Sequence, residues 1–99
     1  MRCMLKITIP AEAGNRAIKS GSLPKIMDEL AGKLKPESSY FTAEGGDRTA
    51  YFFFDFHDVS EIPVIAEPLF MGFDAKLELK PVMNANELKA GIEKASKNF

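Results

Sequence analysis

The sequence predicts an α+β protein in which a four-stranded antiparallel sheet carries its helices on one face. Three observations predict it. Met1 to Pro10 alternates with the period of a half-buried strand, Ile18 to Leu34 repeats with the period of a helix, and Gly45-Gly46-Asp47 separates two β-prone segments at hairpin spacing.

In the first strand Met1, Cys3, Leu5, Ile7 and Ile9 fall on one face and Arg2, Met4, Lys6 and Thr8 on the other, with Pro10 ending the run. From Ala11 to Lys35 the period changes. Ile18, Leu23, Ile26, Met27, Leu30 and Leu34 recur at helical spacing, with Gly21 as the expected break, Ser22 as the expected cap of a restarted helix and Pro36 as its stop. Tyr40, Phe41 and Thr42 favour extended chain, and Thr49 to Phe56 is the returning strand, with the densest aromatic run of the sequence. Asp58-Val59-Ser60-Glu61 reads as a capping box in which Glu61 reaches back. The helix it opens has Pro63 in its first turn and Pro68 inside, so a short or kinked helix is expected before Leu69, ending at Gly72. Ala75, Leu77 and Leu79 alternate with charges in a fourth strand, and Asn84-Ala85-Asn86-Glu87 caps a C-terminal helix with a narrow apolar stripe of Leu88, Ile92 and Ala95. This order is the ferredoxin-like βαββαβ unit with an extra C-terminal helix, and right-handed crossovers put both main helices on one face.

Ninety-nine residues, 45% hydrophobic and 27% charged, suit a single domain over residues 1–99. Thirteen basic against fourteen acidic residues give a net charge of -1, which removes the positive field that nucleic-acid binding requires, so no nucleic acid is expected. The longest apolar run, Ala50 to Phe54, is far below the roughly 18 residues of a membrane span, and no membrane partner is expected. One cysteine, Cys3, with no apolar leader, fits a cytoplasmic location.

With Cys3, Leu5, Ile7, Ile9, Phe52, Phe54 and Phe56 assigned to the helix side, the outer face carries Met4, Lys6, Tyr51, Phe53, Asp55 and His57 beside Lys76, Glu78 and Lys80. Aromatics mixed with paired charges suit a surface that meets another protein surface. Met4, Tyr51 and Phe53 are therefore the expected interface of a homodimer whose sheets pack face to face; the alternative is a monomer with an amphipathic outer face.

The opening Met1-Arg2-Cys3-Met4, the strand end Ile7-Thr8-Ile9-Pro10-Ala11-Glu12, the turn Gly45-Gly46, the junction Phe56-His57-Asp58-Val59 and the late Leu77-Glu78-Leu79-Lys80-Pro81-Val82 together resemble a family of small uncharacterised proteins in the dimeric α+β barrel superfamily. The resemblance covers nearly the whole chain and implies sheets that pair into a dimeric barrel. Muconolactone isomerase, antibiotic-biosynthesis monooxygenases, haem-degrading enzymes and stress-induced barrels share that superfamily, so the fold does not choose among their chemistries. Where the family's second strand often carries a Trp-His pair, this chain has Tyr40-Phe41, and the role of that pair does not transfer.

For catalysis the candidates are His57, the only histidine, and Asp55, two residues apart on one strand face. Two ligands fall short of a metal site, and the plainer reading is a polar strand end; no metal and no cofactor are expected. For ligand binding the candidates are Lys6, Glu78, Tyr40 and Tyr51, with Lys6 facing Glu78 and approached by Asp55; the plainer reading is an ion-pair ladder that fixes register. No phosphate loop or nucleophile elbow is present. The expected function is a dimeric barrel that binds a small molecule or serves as an accessory protein. The alternatives are a cofactor-independent isomerase or monooxygenase, a structural protein-interaction subunit, and a regulator without DNA-binding parts.

Overall fold

In the computed structural model, which describes residues 1–99, the alternating N-terminal segment forms β1 (Arg2–Ile9) with Cys3, Leu5, Ile7 and Ile9 buried. Next come α1 (Ala11–Ser20), α2 (Ser22–Leu34), β2 (Ser38–Glu44), β3 (Asp47–Asp55), a single 3-10 turn (Val59–Glu61), α3 (Ile62–Phe73), β4 (Lys76–Pro81) and α4 (Ala85–Ser96). The sheet order is β2-β3-β1-β4 with every neighbouring pair antiparallel, the βαββαβ arrangement the sequence predicts, with one extra helix. β1 and β3 are central and long, so they carry the fully buried side chains Leu5, Ile7 and Phe52.

Helices α1, α2 and α3 cover one face. Gly21, at φ 81°, turns the first crossover into two helices, because a left-handed residue ends α1 at Ile18 O and starts α2 at once. Helix α1 buries only small residues, Ala13, Gly14 and Ala17, and Gly14 leaves the space in which Arg48 crosses to Ala11 O and Asn15 Oδ1. Helix α2 buries Leu30 and Leu34, and α3 buries Ile65, Ala66, Leu69 and Phe73.

Three local expectations are corrected. Ser22 does not cap α2: it is the first helical residue, and its hydroxyl donates back to Ala17 O. The Glu61 side chain does not reach back to Asp58; the Asp58 carboxylate accepts from Ser60 N, and Glu61 N donating to Asp58 O closes the 3-10 turn. Helix α3 runs through Pro68 to Phe73, past Gly72, with Asp74 in the left-handed region as its cap. Pro68 is tolerated on the exposed side of the helix, where Val64, the residue whose carbonyl loses its amide partner, is exposed as well.

Helix α4 stands apart. Its capping box is complete, with Asn84 Oδ1 accepting from Glu87 N and Glu87 Oε1 accepting from Asn84 N, and Glu87 also pairs with Arg2. None of its residues is buried, and the chain has a radius of gyration of 16.0 Å, where a compact domain of this length has about 13 Å. So α4 adds nothing to the core. Asn84→Ala should cost about 1 kcal/mol of helix stability. Circular dichroism should therefore lose helical signal while the urea midpoint of the body stays unchanged.

No helix is long and apolar enough to cross a membrane.

Candidate functional site on the outer face of the sheet

The register places the predicted residues. Across β1 and β3, Met4 faces Phe53 and Lys6 faces Tyr51; across β1 and β4, Lys6 faces Glu78; across β2 and β3, Tyr40 faces Tyr51. Directly opposed residues share a sheet face, so Met4, Lys6, Tyr40, Tyr51, Phe53 and Glu78 all lie on the side without helices.

Two patches result. The apolar one is Met4, Phe53 and Tyr40, with the Tyr40 and Phe53 rings edge to face at 6.5 Å between centroids. The polar one centres on Glu44, which the sequence reading missed. Lys6 Nζ lies 2.9 Å from Glu44 Oε2, the Tyr51 hydroxyl donates to Glu44 Oε1, and Lys6 Nζ stands 5.8 Å from the Tyr51 ring centroid. Lys6 and Tyr51 are long side chains that lean toward the hairpin, so they converge on a carboxylate that is not their cross-strand partner. The signal was present: alternation from the Gly45-Gly46 turn puts Glu44 on the face of Tyr40.

The network sets the ionisation of its members. The Tyr51 hydroxyl, and after it Lys6, holds the Glu44 carboxyl below the usual range; the bond to Glu44 raises Lys6 and raises Tyr51, which stays a protonated donor. A depressed carboxyl stabilises the fold above its unfolded pKa of about 4.3, and that contribution is lost as pH falls through the lower folded value. Asp55, Asp58 and Glu87 are depressed too and act with the same sign. Glu44→Gln should therefore flatten part of the acid limb of stability, read as urea midpoints across a pH series, and leave the rest of that limb in place.

Glu78 is exposed and keeps its place opposite Lys6, but the ion pair of Lys6 is with Glu44. Asp55 does not approach Lys6. It sits at the Arg2 end of the sheet, held by the N-terminal ammonium at 2.6 Å, which lowers its pKa, with His57 Nε2 at 3.6 Å from its second oxygen. His57 and Asp55 side chains are 74% and 65% exposed, and they border an open cleft of about 300 Å³ with Lys33, Lys35 and Glu61, so the pair stays in contact with bulk water. No three His, Cys, Asp or Glu side chains converge on one point.

A separate apolar cleft of about 220 Å³ opens on the helix side, between Leu23 and Met27 of α2 and Phe41 and Ala50 of the sheet. It has no charged group other than Arg48 in its lining, and none of the predicted site residues borders it.

The fold and site define a small α+β domain of ferredoxin-like form whose helix-free sheet face carries adjoining apolar and ion-paired patches. No protein-family model, no curated protein and no solved structure matches the chain.

Proposed function

We propose that the chain is a self-pairing small-molecule binder in which two copies join through the outer faces of their sheets. The observation that carries this is the adjacency of the Met4, Phe53 and Tyr40 patch to the Lys6, Glu44 and Tyr51 network. Four strands about 4.8 Å apart and about 25 Å long present roughly 500 Å² per copy, so a pair covers about 1,000 Å², the lower bound of specific interfaces. The charges at its centre tolerate such contact, and Lys76, Glu78 and Lys80 lie on the edge strand β4, at the rim. Lys6 and Glu44 neutralise each other and already share hydrogen bonds, so covering them avoids an unpaired buried charge.

An ammonium has three donors, and Lys6 spends one on Glu44. The remaining donors favour a ligand with a carboxylate or carbonyl group, and Phe53 and Met4 favour an apolar body beside it. Binding is preferred to catalysis because Tyr51 is held protonated and His57 is open to water, which leaves no enclosed base. The resemblance to dimeric α+β barrels supports the same pairing.

Native mass spectrometry of gently purified protein tests the ligand. The expected spectrum shows paired chains with a small added mass, which Lys6→Met releases while the chains stay paired. Paired chains of bare mass in every preparation, with no uptake from a panel of small carboxylic acids, contradict the binding role.

A further inference from the structure

The two edges of the sheet are built differently. β4 carries Lys76, Glu78 and Lys80 and ends on Pro81, the charges and proline by which edge strands resist pairing. β2 has none of these devices: Ser38–Glu44 reads Ser-Ser-Tyr-Phe-Thr-Ala-Glu, its one charge is at the end, and Ser39 through Ala43 are exposed. A bare, uncharged, β-prone edge is a template for another strand.

The hairpin fixes what that edge offers. Gly45 and Gly46 are both at positive φ, 57° and 85°, so the two-residue turn is closed by Glu44 and Asp47 facing each other. Backbone groups of Glu44, Thr42 and Tyr40 then point to β3, and those of Ala43, Phe41 and Ser39 point to the open edge. Their side chains lie on the helix side. There the Phe41 ring, 65% exposed, stands edge-on to Phe52 at 5.8 Å and rims the cleft walled by Leu23 and Met27.

We infer that β2 pairs antiparallel with β2 of a second copy, about a two-fold axis at Phe41. In that register Phe41 meets Phe41, Tyr40 meets Thr42, Ser39 meets Ala43 and Ser38 meets Glu44, so no like charges oppose and each carboxylate faces a hydroxyl. The second Phe41 lies over the apolar cleft beside the first. Two sheets become one of eight strands with α1, α2 and α3 of both copies on one side, and the outer faces stay free for the pairing proposed above. The edge pairing does not depend on that pairing.

Amide hydrogen exchange followed by NMR on the full chain tests this, because the Ser39, Phe41 and Ala43 amides have no partner within their own sheet. They are expected to be protected at high protein concentration and to lose protection on dilution. Ser39→Lys with Ala43→Lys places lysine against lysine twice in this register and should abolish the protection; Ser39→Lys with Ala43→Glu should restore it. Phe53→Asp, on the other face, should leave it intact. Solvent-like exchange of the three amides at every concentration overturns the inference, and so does equal protection in the two charge variants.

Discussion

Phe53→Asp is expected to separate the proposed face-to-face pair into single chains at low micromolar concentration, with the fold retained. Phe53 is half-buried on the outer face, opposite Met4 and in ring contact with Tyr40, and no helix covers it. Its replacement leaves the helix-side core of Phe52 and Phe54 untouched. Each pair would then bury two aspartates at several kcal/mol apiece, and every 1.4 kcal/mol is tenfold in affinity, so the dissociation constant should rise by about 1,000-fold or more. Light scattering after size exclusion reads the outcome. A variant that remains paired with wild-type affinity at this concentration would remove the outer face as the interface.

The largest effect on stability is expected from Phe73→Ala. Phe73 is the last residue of α3, fully buried, and it belongs to the same core as Leu5, Ile7, Phe52 and Leu69. Truncating a buried Phe costs about 3–5 kcal/mol in transfer and cavity terms, against a total of about 5–15 kcal/mol for a domain. The thermal midpoint should fall by at least about 12 °C, from about 4 °C per kcal/mol at this chain length. By contrast Phe70→Ala, three residues earlier on the exposed side of the same helix, should change it little, since Phe70 is 43% exposed. Equal losses at the two positions would mean that α3 packs by another face.

Much of the fold was legible because its periods are clean. Cys3, Leu5, Ile7 and Ile9 alternate without exception and all four are buried, and the glycines at the hairpin and between α1 and α2 stand where a left-handed residue is required. The misread boundaries share a cause. Ser22 and Glu61 have the right side chains for capping, yet neither caps, because Gly21 and the 3-10 turn supply the chain reversal through the backbone. Pro68 breaks no helix because tertiary anchoring by Ile65, Leu69 and Phe73 outweighs one lost hydrogen bond on the solvent side.

The candidate site was half legible. Tyr40, Tyr51, Lys6 and Phe53 follow from alternation once the face is chosen. Alternation puts Glu44 on the same face, but its pairing depends on how far two long side chains lean along the strands, and Asp55 is captured by the N-terminal ammonium; sequence spacing encodes neither contact. A ladder of opposed charges was the plainer expectation. Instead Lys6 turns from Glu78 to Glu44, which leaves Glu78 exposed beside the network.

The proposed pair forms where the outer face of one sheet meets the same face of another copy. Isotope-filtered NOE spectroscopy on a mixture of labelled and unlabelled chains tests this most directly, because it reports only contacts between copies. Cross-peaks are expected from the Met4 methyl to the Phe53 and Tyr40 rings of the other copy. Cross-peaks confined to the helical side, or none at concentrations where the chains are paired, would contradict it.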